Sequence, residues 1–173
     1  MSSFTENNSQ LCCEHDRIMD ILRSIPHFSE LQVDSLKVMA LVCNHMNYQP
    51  GANVFGAGDI DNKAYYIVEG TAEVIRATDQ GEVVVGAFAQ GAFIGALALL
   101  SDVKRLFFLR AKTPLKCLII PRKKLSQTLG QSGNGFQVFL KSIAASIVAW
   151  EEVQLRSGTS IKSSPGGAGV SLL

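Results

Sequence analysis

Between Gln49 and Gly81 the chain is broken every few residues by turn-forming clusters: Gln49-Pro50-Gly51, Gly56-Ala57-Gly58-Asp59, Asp61-Asn62, Glu69-Gly70 and Thr78-Asp79-Gln80-Gly81. A long helix does not survive that punctuation, because glycine and proline favour turns over helix continuation. The runs between the clusters, AYYIV, TAEVIRA and EVVVGAF, are rich in β-branched and aromatic residues that suit a pleated surface. The pattern predicts a small antiparallel barrel or sandwich.

From Val83 to Leu100 the sequence VVVGAFAQGAFIGALALL carries no charge and is about long enough to cross a bilayer. Gly86, Gln90-Gly91 and Gly95 divide it, and the turn at Asp79-Gln80-Gly81 precedes it, so a strand, a turn and a short helix fit better than one continuous helix. No membrane span is expected. Two further apolar runs follow in LFFLRAKTPLKCLIIPRKKL, separated at Lys112-Thr113-Pro114 and closed by Pro121, and they predict the final two strands.

Helices are expected on both sides of this β-rich region. Ile18, Ile21 and Leu22 have helical spacing before Ser24-Ile25-Pro26 interrupts it, and Leu36, Met39, Ala40 and Cys43 recur at i, i+3, i+4 and i+7 in a second helix capped by Ser29 or Asp34. After Gly135, residues Phe136, Phe139, Leu140, Ile143, Ile147, Trp150 and Val153 form one wide apolar helical face. The expected organisation is therefore an N-terminal helical segment at 1–24, a domain at 25–155 ending in that helix, and a Ser/Gly-rich tail at 156–173 without apolar period, read as disordered.

Sixteen basic and fifteen acidic residues among 173 give a net charge of +1, too balanced for the broad basic footprint of a general nucleic-acid binder. Cys12, Cys13, Cys43 and Cys117 lack C-x-x-C spacing, and His15, His27 and His45 form no ligand pair. The cysteines read as reduced thiols of a cytoplasmic protein, with no metal site. The N-terminus has no basic head followed by an apolar run and is not a secretory signal. Asp59, Asp61, Glu69 and Glu73 are not joined to a histidine or nucleophile by a recognised spacing, so no enzyme is expected.

Helices, short strands with glycine turns, and a closing helix occur here together with Tyr48-x-Pro50-Gly51, Gly58-Asp59 and Tyr65-Tyr66-Ile67-Val68-Glu69-Gly70. This constellation resembles the cyclic-nucleotide-binding domain family, the β-roll of catabolite activator protein and kinase regulatory subunits, over about Ile25 to Glu152. The resemblance implies an α+β fold, an antiparallel β-roll flanked by N-terminal helices and a C-terminal helix. The glycines themselves report turns, not a ligand.

Binding in that family rests on a phosphate cassette, which GAFIGALALLSDVKRLFFLRA resembles in place and pattern. Gly95 permits a sharp turn that aims the amides near Ala96 and Leu97 at an anion. Arg105 matches the family's phosphate-binding arginine, although an arginine beside Lys104 can equally be a solvated charge, an ion-pair partner or a contact for another protein. Ala96 stands where the family has a glutamate for the ribose hydroxyl, a loss of roughly 1.5 to 3 kcal/mol. Phe107 and Phe108 stand where the family has a small residue and Ser/Thr, and strand alternation turns one ring into the roll.

These departures lead to the expectation of a regulatory module that does not bind cyclic AMP or cyclic GMP in the usual way and works through dimerisation or a protein partner. The alternative is a sensor that takes a cyclic nucleotide unconventionally, or another ligand such as a cyclic dinucleotide. Ile143, Ile147 and Trp150 either form a dimer seam or pack on their own roll. Direct DNA binding is not expected, because only about eighteen residues follow Leu155 and they hold no reader helix.

Overall fold

A computed structural model describes residues 3–156. Among them the elements run α1 (Ser3–Ser24), α2 (Val33–Val42), β1 (Asn44–Tyr48), β2 (Asn53–Phe55), β3 (Lys63–Glu69), β4 (Thr71–Thr78), β5 (Gly81–Ala89) and β6 (Phe93–Ile94). A 3-10 turn (Ala96–Leu99), β7 (Phe108–Ala111), β8 (Leu115–Pro121), α3 (Arg122–Gln131) and α4 (Gly135–Arg156) complete the order. The strands form two four-stranded sheets, β1-β8-β3-β6 and β2-β7-β4-β5, and each ladder is antiparallel. This is the expected β-roll with helices on its flanks.

Strand alternation divides the core in two. In β8, Leu118 and Ile120 face the helices while Leu115, Cys117 and Ile119 face the space between the sheets. In β3, Ala64, Tyr66 and Val68 lie on the helix side and Tyr65 and Ile67 on the roll side. The central strands β8 and β3 of the first sheet are therefore apolar on both faces. Gly70 joins β3 to β4 at φ 91°, and a Cβ there would lie 2.3 Å from the Pro114 carbonyl oxygen, so the turn admits only glycine.

The helix-side core is closed by α4. Phe139 is fully buried and stacks on Phe28, with ring centroids 5.5 Å apart and planes 16° from parallel. Phe93 of β6 meets Phe28 edge-on at 5.7 Å. His27 lies beside both Phe93 and Phe139, and its Nδ1 is 3.0 Å from Ser142 Oγ. Burial holds the His27 pKa below its ordinary value. The closing helix is thus fastened to the strand that leads into Gly95.

Several local readings change. Neither Ser29 nor Asp34 caps α2: Gln32 occupies the cap position without a side-chain bond, Ser29 Oγ donates to the Pro26 carbonyl, and Asp34 sits inside the first turn. Its helix ends at Val42, and Asn44–Tyr48 pairs with β8, so the β-region begins before the first proline-glycine turn. A helix, α3, follows directly on Pro121, which was read only as the end of a strand; Leu125, Thr128 and Leu129 supply its narrow buried stripe. The tail from 157 onward lies outside the described residues.

Candidate functional site

Gly95 takes a left-handed conformation, φ 90° and ψ 32°, immediately before the 3-10 turn. The turn is held by Ala98 N–H donating to the Gly95 carbonyl and Leu100 N–H to that of Leu97, and it buries Ala96, Ala98 and Leu99. A Cβ on residue 95 would lie 2.4 Å from Arg105 Nη1. Two constraints therefore coincide, a positive φ and a close arginine. Gly91, at φ 89°, has the first constraint without the second, since nothing lies within 4 Å of its notional Cβ.

That contrast gives a direct test. Gly91→Ala should cost about 1–2 kcal/mol for the left-handed backbone alone. Gly95→Ala should cost more, about 2–4 kcal/mol, because overpacking adds to it. Urea unfolding of both variants measures the difference. Equal losses would mean that the Arg105 side chain gives way freely.

Arg105 is held through one end of its guanidinium and by two aromatic rings. Its side chain is only 8% exposed, and Nη2 donates to Asp61 Oδ1 at 2.8 Å and to the Lys63 carbonyl at 2.6 Å. Its guanidinium carbon lies 4.3 Å from the centre of the Phe55 ring and 5.6 Å from that of Tyr65, within cation–π range. Tyr65 Oη donates to the other Asp61 oxygen, Oδ2, at 2.5 Å. Burial, and then this bond to Asp61, push the tyrosine pKa up, so Tyr65 remains a neutral donor.

The backbone fixes the same arrangement. Arg105 N–H donates to the Asp59 carbonyl, and Gly58 N–H donates to that of Arg105, at 2.9 and 2.7 Å. Asp59 in turn accepts from Gly56 N–H through its side chain. The Gly56–Asp59 turn thus clamps the arginine-bearing loop. Both side-chain hydrogen bonds of Arg105 use Nη2; Nε is buried without a hydrogen-bond partner, and Nη1, beside Gly95, makes none.

The two phenylalanines separate as strand alternation requires. Phe107 packs into the inter-sheet core, its ring 5.4 Å from that of Phe55. Phe108 starts β7 opposite Ile75, with the buried Leu109 and Ala111 alternating to the other face. Phe107 is the ring turned inward. Ala96 and Leu97 lie against the helix-side core, while Ile143 is buried there and Ile147 partly so. Ile143 thus packs on its own roll. The helical backbone includes Trp150, whose side chain lies outside the described residues.

Sequence reasoning missed Asp61, Phe55 and Tyr65 as members of this site. Asp61 was visible only as a turn residue, 44 positions from Arg105, and no local spacing joins them.

The model of the cyclic nucleotide-binding domain matches residues 45–132, half of the chain and all of the Arg105 site. The chain belongs to the cyclic nucleotide-binding domain family. A regulatory subunit of cAMP-dependent protein kinase from Blastocladiella emersonii is 34% identical over 63% of this chain, which covers 27% of that protein. The domain thus spans about a quarter of that relative's length. Among solved structures, the N-terminal domain of a transcriptional regulator from Streptomyces coelicolor superposes with TM-score 0.68 at 20% identity, over 83% of this chain and 99% of that one. The regulatory subunit of a cAMP-independent protein kinase A from Trypanosoma brucei gives 0.58 at 23%, over 73% and 47%. These structural likenesses concern the fold. Among the described residues no helix is long and apolar enough to cross a membrane, and no three His, Cys, Asp or Glu side chains gather into a metal site.

Proposed function

We propose that this domain is a non-catalytic, cytoplasmic regulatory module that does not bind cyclic AMP or cyclic GMP in its family's usual manner and acts through a protein partner or a second copy of itself. The observation that carries this reading is the internal engagement of Arg105. The cation available for a cyclic phosphate is paired with Asp61, bonded to the Lys63 carbonyl and stacked on Phe55, while Phe107 fills space beside it. A ligand phosphate meets an arginine whose Nη2 is already committed to Asp61 and to the Lys63 carbonyl, and Ala96 offers no side-chain acceptor for the ribose hydroxyl. Phe136, Leu140 and Val148 on α4 remain substantially exposed and supply apolar surface for a partner.

Titration calorimetry with cyclic AMP and cyclic GMP tests the proposal. No heat of binding is expected from either. Micromolar affinity for one of them, lost in Arg105→Lys while the circular dichroism spectrum is kept, would overturn it.

A second reading, an unconventional nucleotide sensor, is favoured by the unpartnered Nε of Arg105, whose guanidinium lies against the Gly95 turn through Nη1. A buried donor without an acceptor costs about 1–3 kcal/mol, which an incoming anion recovers. Saturable binding of a cyclic dinucleotide, sensitive to Arg105→Lys, supports that reading over the first.

A further inference from the structure

A second concavity lies outside the roll, where the start of β3, the 3-10 turn, the start of α3 and the start of α4 meet. Its volume is about 650 Å³, in the range of small-molecule sites. Leu100, Pro121 and Phe136 make its wall apolar, and Phe136 leaves 42% of its surface uncovered there and around it. Lys63, Arg122 and Lys123 contribute positive charge.

The local charges do not cancel. Asp61, the acidic residue of the lining, is engaged by Arg105 and by Tyr65. Arg122 is paired with Asp102 on the loop after the 3-10 turn. Lys63 and Lys123 have no carboxylate partner among the described residues, so the cleft carries an excess of two positive charges over an apolar wall. A neutral apolar occupant leaves those charges unused, and a highly charged polar one leaves Leu100 and Phe136 wet. The complementary occupant is a small organic acid with a single negative group on an aromatic or branched apolar body.

The cleft also touches the arginine site from behind. Asp61 lines it and holds Arg105, and the adjacent Asn62 accepts the Arg122 backbone N–H through its carbonyl at 2.9 Å. Leu99 and Leu100 belong to the stretch that begins at Gly95. Asp61 and the Leu99-Leu100 end of the turn thus connect the cleft to Arg105 and to the turn that begins at Gly95.

We propose that this cleft binds a small apolar organic anion, and that its occupancy is felt at Arg105 through Asp61. The site is separate from the roll interior, and its existence does not depend on whether a cyclic nucleotide binds there.

The test uses the full chain and 8-anilinonaphthalene-1-sulfonate, an aromatic sulfonate, followed by fluorescence and by amide shifts in 15N-labelled protein. Expected are saturable one-to-one binding and shifts at Lys63, Leu100, Lys123 and Phe136, with smaller ones at Gly95 and Arg105. The surface variant Lys63→Gln/Lys123→Gln should weaken binding at least about tenfold, the scale of one lost charge-assisted contact. Ser126→Trp, which places a ring in the cleft, should abolish it. Absence of saturable binding, shifts centred elsewhere, or equal affinity in both variants overturns the site. Equal affinity for uncharged N-phenyl-1-naphthylamine overturns its preference for an anion, and silence at Arg105 and Gly95 overturns the coupling. The cyclic-nucleotide titration reads the roll interior, so failure of that reading and failure of this one are distinguishable.

Discussion

Replacing Arg105 by methionine should destabilise the domain by about 3–5 kcal/mol, the scale for removing one partner of a buried ion pair. Asp61 is 16% exposed, and the substitution leaves its carboxylate with the Tyr65 hydroxyl alone, while the Lys63 carbonyl loses its donor. The stacking on Phe55 and Tyr65 also goes, although the methionine stem retains part of the packing. The double variant Arg105→Met/Asp61→Leu should recover most of the loss, because an apolar replacement of both partners removes the stranded charge along with the pair. Urea midpoints at constant m-value measure both effects.

The sign of the single variant separates two roles for this arginine. A residue kept chiefly for a ligand is often a burden in the empty protein, and its removal raises stability. A structural ion pair behaves in the opposite way. An Arg105→Met variant as stable as the parent, or more so, would sink the view that Arg105 is internally engaged and would favour the sensor reading.

Phe139→Ala should cost a similar amount, about 3–5 kcal/mol, through lost burial and the cavity left behind. The ring is fully buried between Phe28 and His27, and these contacts attach α4 to the segment between α1 and α2, which in turn packs on Phe93 of β6. Leu140, the next residue and 39% exposed, should cost less than about 1 kcal/mol as alanine. Hydrogen exchange should show α4 opening ahead of the sheets in the Phe139 variant, since its remaining anchors are Ile143, the partly buried Val138 and Ile147, and the Ser142 hydrogen bonds to His27 and Pro26. A Phe139→Ala loss no larger than that of Leu140→Ala would mean that α4 is not held by this stack.

The legible part of the fold was the part written in neighbouring residues. Glycine turns at 51, 58, 70, 81, 91 and 95 take positive φ, and the apolar alternation of β8 sorts its side chains onto two cores. The helical spacing of Phe136, Phe139 and Ile143 gives α4. By contrast, α3 buries few apolar groups among polar neighbours, and β1 carries Asn44, His45 and Asn47, so neither has a strong local period. Their structure comes from what they pack against: β8 supplies the pairing for β1, and the helix-side core receives Leu125 and Leu129.

The candidate site was legible in the same unequal way. Gly95 and Arg105 lie side by side in the structure, and the chain between them is short, with its turn set by local backbone geometry. The partner of Arg105 could not be read from the string, because Asp61 reaches it only once β3 is seated between β8 and β6 and the Gly56–Asp59 turn grips the loop. By itself the sequence determined the β-roll and its glycine turns. Only the tertiary structure decided that Arg105 is engaged from within and that Phe107, not Phe108, faces the roll. Backbone preference and side-chain period act over a few residues, whereas an ion pair and the filling of a cavity depend on the register between strands far apart in the chain.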